Sequence, residues 1–296
     1  MAISTVSTTR TPSRFRLLLG EGGTFTRRNP TLVAGGVIIS FLALLAIFAP
    51  LVTRYDPIAL DVVNRLKAPS SEHLFGTDMM GRDLFSRVIY GSRVSLMVGL
   101  SVAAIATAIG LVIGLAAGLV RWVDVVVMRV MDGLMAIPSV LLAIAFMALA
   151  GSSIRNIIIA ITIPEIPRVA RLVRGIVMSV REQPFVEAAI AAGTKDIPLL
   201  RRHILPSTIN PLIVQATYIS ASAIISEAYL SFLGAGTPPE IPSWGNIVAE
   251  GRALFTIAPG AVLFPSIFLA LTVLAVNMLG DGLRDRLDPQ MQRSLR

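Results

Sequence analysis

The stretch EAAIAAGTKDIPLLRRHILP, Glu187 to Pro206, is charged and short, yet apolar runs flank it on both sides. Its first half predicts a helix, because Ala188, Ala189, Ala191 and Ala192 are strong helix formers and Gly193 is a natural left-handed stop. Asp196 is placed to cap a second helix, with Pro198 tolerated in the first turn. Leu200 and Ile204 share a face at i, i+4, Arg201 and Arg202 point elsewhere, and Pro206 interrupts the pattern as apolar sequence resumes. The stretch therefore reads as a helical hairpin with one oily and one charged face. Pattern alone leaves two roles open: a small-residue helix inserted into a groove of another protein, or an amphipathic connector lying on lipid headgroups.

The flanks decide the solvent. Of 296 residues, 54% are hydrophobic and 15% charged, against about 45–50% and 25% in soluble domains. Such a chain uses the bilayer as solvent. Its net charge of +8 collects between apolar runs, as cytoplasmic loops of membrane proteins do, whereas a nucleic-acid binder spreads basic residues over a polar surface. The absence of cysteine excludes disulfides and thiolate metal sites. The two histidines, His73 and His203, lie far apart with no ligand cluster around either, so a metal site is not expected.

Apolar runs predict an all-α membrane protein with six spans, at about 31–52, 94–120, 125–150, 156–180, 207–233 and 259–280. A basic segment, 1–30, precedes them, the hairpin occupies 181–206, and a polar, basic tail follows at 282–296. In the second span Gly110, Gly114 and Gly118 stack on one face, a seam for close helix approach inside a bundle or a dimer. In the third, Arg129 and Asp132 are spaced to pair at i, i+3, and Pro138 should kink the helix. The fourth carries Pro164, Glu165 and Pro167 mid-run, followed by Arg168, Arg171 and Arg174. A mid-membrane charge is costly and is normally buried against protein or water. Glu165 thus marks a possible polar path, with Arg168 in pairing reach. The alternative is a helix that leaves the membrane near Arg168.

With both termini inside, the hairpin and tail hold many basic residues, while the outer segments near 155 and 234–258 hold one each. The outer segment 53–93 disagrees with the charge rule, since it carries Arg54, Arg65, Lys67, Arg82, Arg87 and Arg93.

Glu187, Ala188, Ala189, Gly193 and the His203–Ile204–Leu205–Pro206 ending match, in spacing and in position before the fifth span, the EAA loop of ABC importer membrane subunits. His203 resembles the variant of the peptide-importer branch. FGTDMMGRDLFSRVIYGSRVSL (75–96), ARLVRG (170–175), SEAYLSFLGAG (226–236), PSWGNIV (242–248) and LGDGLRDRLDP (279–289) are similar to the second subunit of dipeptide/oligopeptide/nickel permeases. From Pro30 onward nearly all of the chain is covered; residues 1–29 match nothing distinctive.

The resemblance implies a type I ABC importer permease domain over 31–281 in a bacterial inner membrane. It implies a coupling helix, with Glu187, Ala188, Ala189, Gly193, Leu205 and Pro206, docked on a cytoplasmic ATPase. The implied partners are a second permease subunit, two ATPase subunits, an extracytoplasmic substrate-binding protein and membrane lipid, with no nucleic acid. Peptides are the implied substrate; nickel chelates, glutathione or sugars are the alternatives within the branch. No G-x-x-x-x-G-K-[ST] loop is present, so ATP and Mg are expected on the partners and no cofactor on this chain. His203 is expected to be structural.

Two other classes compete. An intramembrane enzyme has only Ser226 with Glu227, or Glu165, to offer, without a histidine in sequence reach of a span. A secondary carrier predicts paired broken helices in two halves, and only the fourth run is broken by prolines. The topology is checked by labelling single cysteines in the cysteine-free chain. Ser70→Cys should react with an impermeant reagent only from outside and Thr194→Cys only from inside; the reverse result for Ser70 overturns the orientation.

Overall fold

Where the sequence places glycine at four-residue spacing, two long helices meet. The computed structural model describes residues 29–287; expectations for 1–28 and 288–296 lie outside the described residues. Nine helices of eight or more residues organise the described residues: α1 Pro30–Ile47, α2 Leu84–Leu119, α3 Arg121–Ala136, α4 Ser139–Ala150, α5 Ile154–Arg181, α6 Pro184–Ala191, α7 Asp196–Phe232, α8 Trp244–Gly251 and α9 Gly260–Leu287. No strand is present among the described residues.

The 36-residue α2 and the 28-residue α5 run parallel, in contact along the glycine stripe. A Cβ on Gly110 would strike Val169; one on Gly114 would lie 2.6 Å from both the Ala170 carbonyl oxygen and Val173 Cβ; one on Gly118 would lie 2.6 Å from Val177 Cβ. The seam therefore joins two helices of this chain and is not free for a dimer. Val98, Val102 and Ala106 of α2, Val169, Val173 and Val177 of α5, and Ile219 and Ala223 of α7 share one buried core. Gly35 of α1 meets α9 as closely, 2.6 Å from the Ala275 carbonyl oxygen.

Four helices among the described residues are long and apolar enough to cross a membrane, α1, α2, α7 and α9, or five if α3 and α4 form one bent span. α5 is long enough at about 42 Å, but its charges lower its hydropathy, so the sixth expected span rests on α5. Four local expectations change. The fourth run, expected to be broken by its prolines, is one continuous helix, α5, with Pro164 and Pro167 inside it. The second span starts as a helix at Leu84, not near Val94, because Arg87 is buried by pairing within the fold. Pro138 does more than kink the third run: the chain breaks there and turns by 89° between α3 and α4. Asp132 does not pair with Arg129; it accepts from Arg171 Nη2 of α5 at 2.7 Å, since the neighbouring helix brings a guanidinium closer than the helix's own turn does.

Gly114→Leu should destabilise the purified chain by about 1–3 kcal/mol or more, because the side chain meets backbone. Gly36→Ala, with nothing nearer than Leu279 at 3.9 Å, should stabilise α1 by about 0.5–1 kcal/mol. Thermal unfolding in detergent separates the two; equal midpoints contradict the packing described.

Candidate functional site

The hairpin that opens the sequence is built from α6 and the first turns of α7. Pro184 sits at the start of α6, where its missing N–H is no loss. Gly193 ends the helix at φ +81°. Its N–H donates to Ile190 O at 2.9 Å and that of Thr194 to Ala189 O at 3.0 Å, so the last carbonyls are satisfied by the left-handed turn. Asp196 does not cap: Lys195 holds the cap position, and Asp196 is the first residue of α7.

From there the helix runs unbroken through Pro206, another departure from the expected interruption. A π-helical turn at Leu200–Ile204 widens the helix just before the residue that cannot donate. The Ser207 hydroxyl serves the His203 carbonyl at 3.0 Å. His203 lies beside Phe185, ring centroids 6.0 Å apart.

The two faces of the hairpin differ. Val186, Leu199 and Ile204 are buried in the same core as α2, α5 and α7, so the hairpin is keyed into the bundle. Phe185, Ile190 and Ile197 are exposed, Ile197 by 70%. Glu187, Ala188, Gly193 and Pro206 are also exposed, while Ala189 and Leu205 are half-buried. Glu187 makes no ion pair among the described residues and borders a cleft of about 600 Å³ with Arg121, Asp124 and Arg181. Arg181 ties this corner together by donating to the Gly118 carbonyl at the end of α2, 3.1 Å away.

Between the hairpin and the middle of the bundle, charges pair between α5 and α3 and along α5 itself. Arg174 of α5 bonds both oxygens of Asp124 of α3. Arg171 reaches Asp132. Arg168 holds the buried Glu165 at 3.0 Å. Glu165 and Ser226 line one small crevice.

At the far end, residues that sequence reading left unconnected form one unit. Asp78 accepts from Arg82 Nε at 2.6 Å and Arg87 Nη1 at 2.7 Å, and Glu250 of α8 accepts from Arg82 Nη2 at 2.6 Å. Asp83 caps α2 through Ser86 N and contacts His73 Nδ1 at 2.9 Å. Trp244 is fully buried and donates to Val88 O at 3.0 Å. Arg93 donates to the last carbonyls of α1, Ala46 O and Ile47 O, and Arg65 to Met79 O. Four of the six basic residues that broke the charge rule are thus occupied within the fold. Adjacent acids at 78 and 83 were the available signal; Glu250 is too distant in sequence to have been read.

Glu227 is fully buried and accepts from Ser231 Oγ at 2.8 Å and Ser243 Oγ at 2.7 Å, with Ser95 Oγ at 3.5 Å. A nucleophile needs a base and a second group that orients the base; the groups touching Glu227 are hydroxyls that knot α2, α7 and the turn before α8. Ser226 is not among them.

The chain matches the family model described as the inner membrane component of binding-protein-dependent transport systems over residues 83–293, and that of the N-terminal transmembrane domain of oligopeptide transport permease C over 26–69. It is 54% identical over 267 residues to a probable peptide ABC transporter permease protein of Sinorhizobium fredii, covering 90% of this chain and 91% of that one. A dipeptide transport system permease protein of Alkalihalophilus pseudofirmus is 45% identical over 267 residues, 90% and 88% of the two chains. A glutathione transport system permease protein of Salmonella typhimurium is 48% identical over 272 residues, 90% and 89%.

Asp78→Asn should loosen the buried charge box, since it leaves Arg82 and the buried Arg87 to share Glu250 as their one remaining carboxylate, at a cost of up to about 3–5 kcal/mol. The check is proteolysis of the loop before α2 in the purified chain, which should become several-fold faster; unchanged cleavage contradicts the role given to Asp78.

Proposed function

This chain belongs to the inner membrane components of binding-protein-dependent transport systems, and from that premise we propose that it forms half of the path of an ATP-driven peptide importer and takes its motion from the α6 hairpin. It is a multi-pass permease of the ABC transporter class. Peptide import is the substrate reading that its relatives named for peptides and a dipeptide support, while one relative is named for glutathione, an alternative given above. The alternatives of nickel chelate and sugar find no counterpart among those three names.

The observation that carries the mechanism is the two-faced hairpin. Its inner side chains are part of the bundle's core, and its outer side presents Phe185, Ala188, Ile190 and Ile197. A protein groove suits that outer face, because alanines keep the helix thin and the three larger residues give apolar anchors. Glu187, exposed and without an ion pair among the described residues, is available to a basic group or helix N-terminus of the partner. Since Val186, Leu199 and Ile204 continue into the same core as α2, α5 and α7, displacing the hairpin displaces the packed helices. Coupling then requires only that ATP binding to the partner favour one arrangement over the other.

The remaining assignments belong to the same reading. Two cytoplasmic ATPase subunits carry ATP and Mg, this chain binding neither and catalysing nothing itself. A homologous but different second permease completes the path. A binding protein docks at the charge-box end, which lies outside, and both termini lie inside. α5 is taken as the sixth span, the permease domain as 31–281 and the hairpin as 181–206.

The test is a pair of variants in the complete transporter. Ala188→Cys, more exposed than Ala189, should cross-link to an ATPase subunit and not to the binding protein. Gly193→Val should insert and assemble yet lose at least about tenfold in uptake, because a β-branched residue at positive φ costs roughly 1 kcal/mol or more and re-aims the turn. Normal uptake by Gly193→Val together with no Ala188 cross-link to an ATPase defeats the coupling role and leaves the headgroup connector as the better account.

A further inference from the structure

The depth of the α5 arginines can be read from the glycine stripe. Gly110 faces Val169 and Gly118 faces Val177 in parallel register. Arg168 is therefore level with Ile109, about 15 Å before the end of α2 at Leu119, and Arg171 about 10 Å before it, at 1.5 Å per residue. α2 is apolar along this whole length. Both arginines thus stand at bilayer depth, yet their side chains are 48% and 51% exposed in this chain, as is 58% of Asp132. Charged groups at that depth do not face lipid; they face protein or a water-filled cavity.

The charge balance of the strip decides between those two, since an excess cation is costly to bury against protein and is met by water or an exchanging anion. A Cβ on Gly133, beside Asp132, or on Gly175, one turn beyond Arg171, would meet no other described part of this chain within 4 Å, so the chain does not itself pack over these two points. Arg129, exposed and without an ion pair among the described residues, shares the α3 face of Asp132 one turn away. Three guanidiniums, Arg129, Arg168 and Arg171, stand along the strip with two carboxylates, Glu165 and Asp132, paired to Arg168 and Arg171, which leaves one positive charge. Each guanidinium has five N–H donors, and the bonds to Glu165 and Asp132 use only Nη1 of Arg168 and Nη2 of Arg171.

We propose that this strip is a water-lined station of the translocation path, at which Arg168 and Arg171, with Arg129, hold the carboxylate of a passing peptide. The proposal rests on the importer reading above. A guanidinium fork matches a carboxylate, which every linear peptide with a free C-terminus carries at neutral pH. Because Asp132 and Glu165 already occupy part of each fork, the ligand exchanges with a resident carboxylate. Entry is then favourable, and release is not slow, as passage requires.

The cysteine-free chain allows a charge-specific test. The complete transporter, with cysteine-free partners, is reconstituted in proteoliposomes and supplied with a labelled mixture of di- to tetrapeptides. Arg171→Cys should react with water-soluble methanethiosulfonates and show at least about fivefold lower uptake, roughly the loss of one charged contact in the transition state. Aminoethyl modification, which adds an ammonium, should restore most of the uptake, and sulfonatoethyl modification should not. No reaction from water, identical effects of the two reagents, or undiminished uptake by Arg171→Cys overturns the station. If Arg171→Cys does not assemble, the same measurement on Arg168→Cys decides. Absence of ATP-dependent uptake by the unmodified transporter instead sinks the importer reading itself; uptake that is intact but indifferent to charge at these positions removes the station alone.

Discussion

The close approach of α2 and α5 along Gly110, Gly114 and Gly118 is the contact on which the rest of the molecule depends. Lipid tails are as apolar as leucine, so helices in a bilayer associate through packing rather than through exclusion from water. Three glycines at one-turn spacing let the α5 backbone come near enough for Val169, Val173 and Val177 to fill the stripe. That contact fixes the register of two parallel helices. It sets the depth of Arg168 and Arg171, and it brings the end of α5 level with the end of α2, where Arg181 caps the last α2 carbonyls. The hairpin hangs from that corner.

The two ends of the bundle are held by different physics. At the hairpin end, Val186, Leu199 and Ile204 extend the apolar core outward, so the hairpin is packed as part of the bundle. At the other end, Asp78, Arg82, Arg87 and Glu250 bind the loop before α2 to α8, and the buried Trp244 of α8 donates to Val88 O of α2. Buried ion pairs contribute little net stability, but their geometry is specific. A loop held this way keeps one shape, as a surface presented to another protein should.

Much of this was legible in the sequence wherever a local rule carried it. The hairpin could be read because alanine content, the left-handed stop at Gly193 and the prolines are all properties of neighbouring residues. The glycine seam could be read because its period matches the helix, although the sequence could not say which helix lies opposite. Long-range partners were not legible. Asp132 was assigned to Arg129 on i, i+3 spacing and instead meets Arg171. The basic residues of 53–93 looked like a violation of the charge rule because Glu250 and the carbonyls of Ala46 and Ile47, which engage three of them, come from other parts of the chain. Pro206 was expected to break the helix, and no local rule announces the π turn that lets the helix continue.

The central claim is that this bundle moves peptides only when a partner ATPase drives its hairpin. Accumulation of labelled peptides in proteoliposomes, measured for this chain alone and for the complete transporter with and without hydrolysable ATP, tests it most directly. The account predicts accumulation above the external concentration only for the complete transporter with hydrolysable ATP. Peptide movement by the isolated chain without nucleotide would contradict it and make the protein a carrier in its own right.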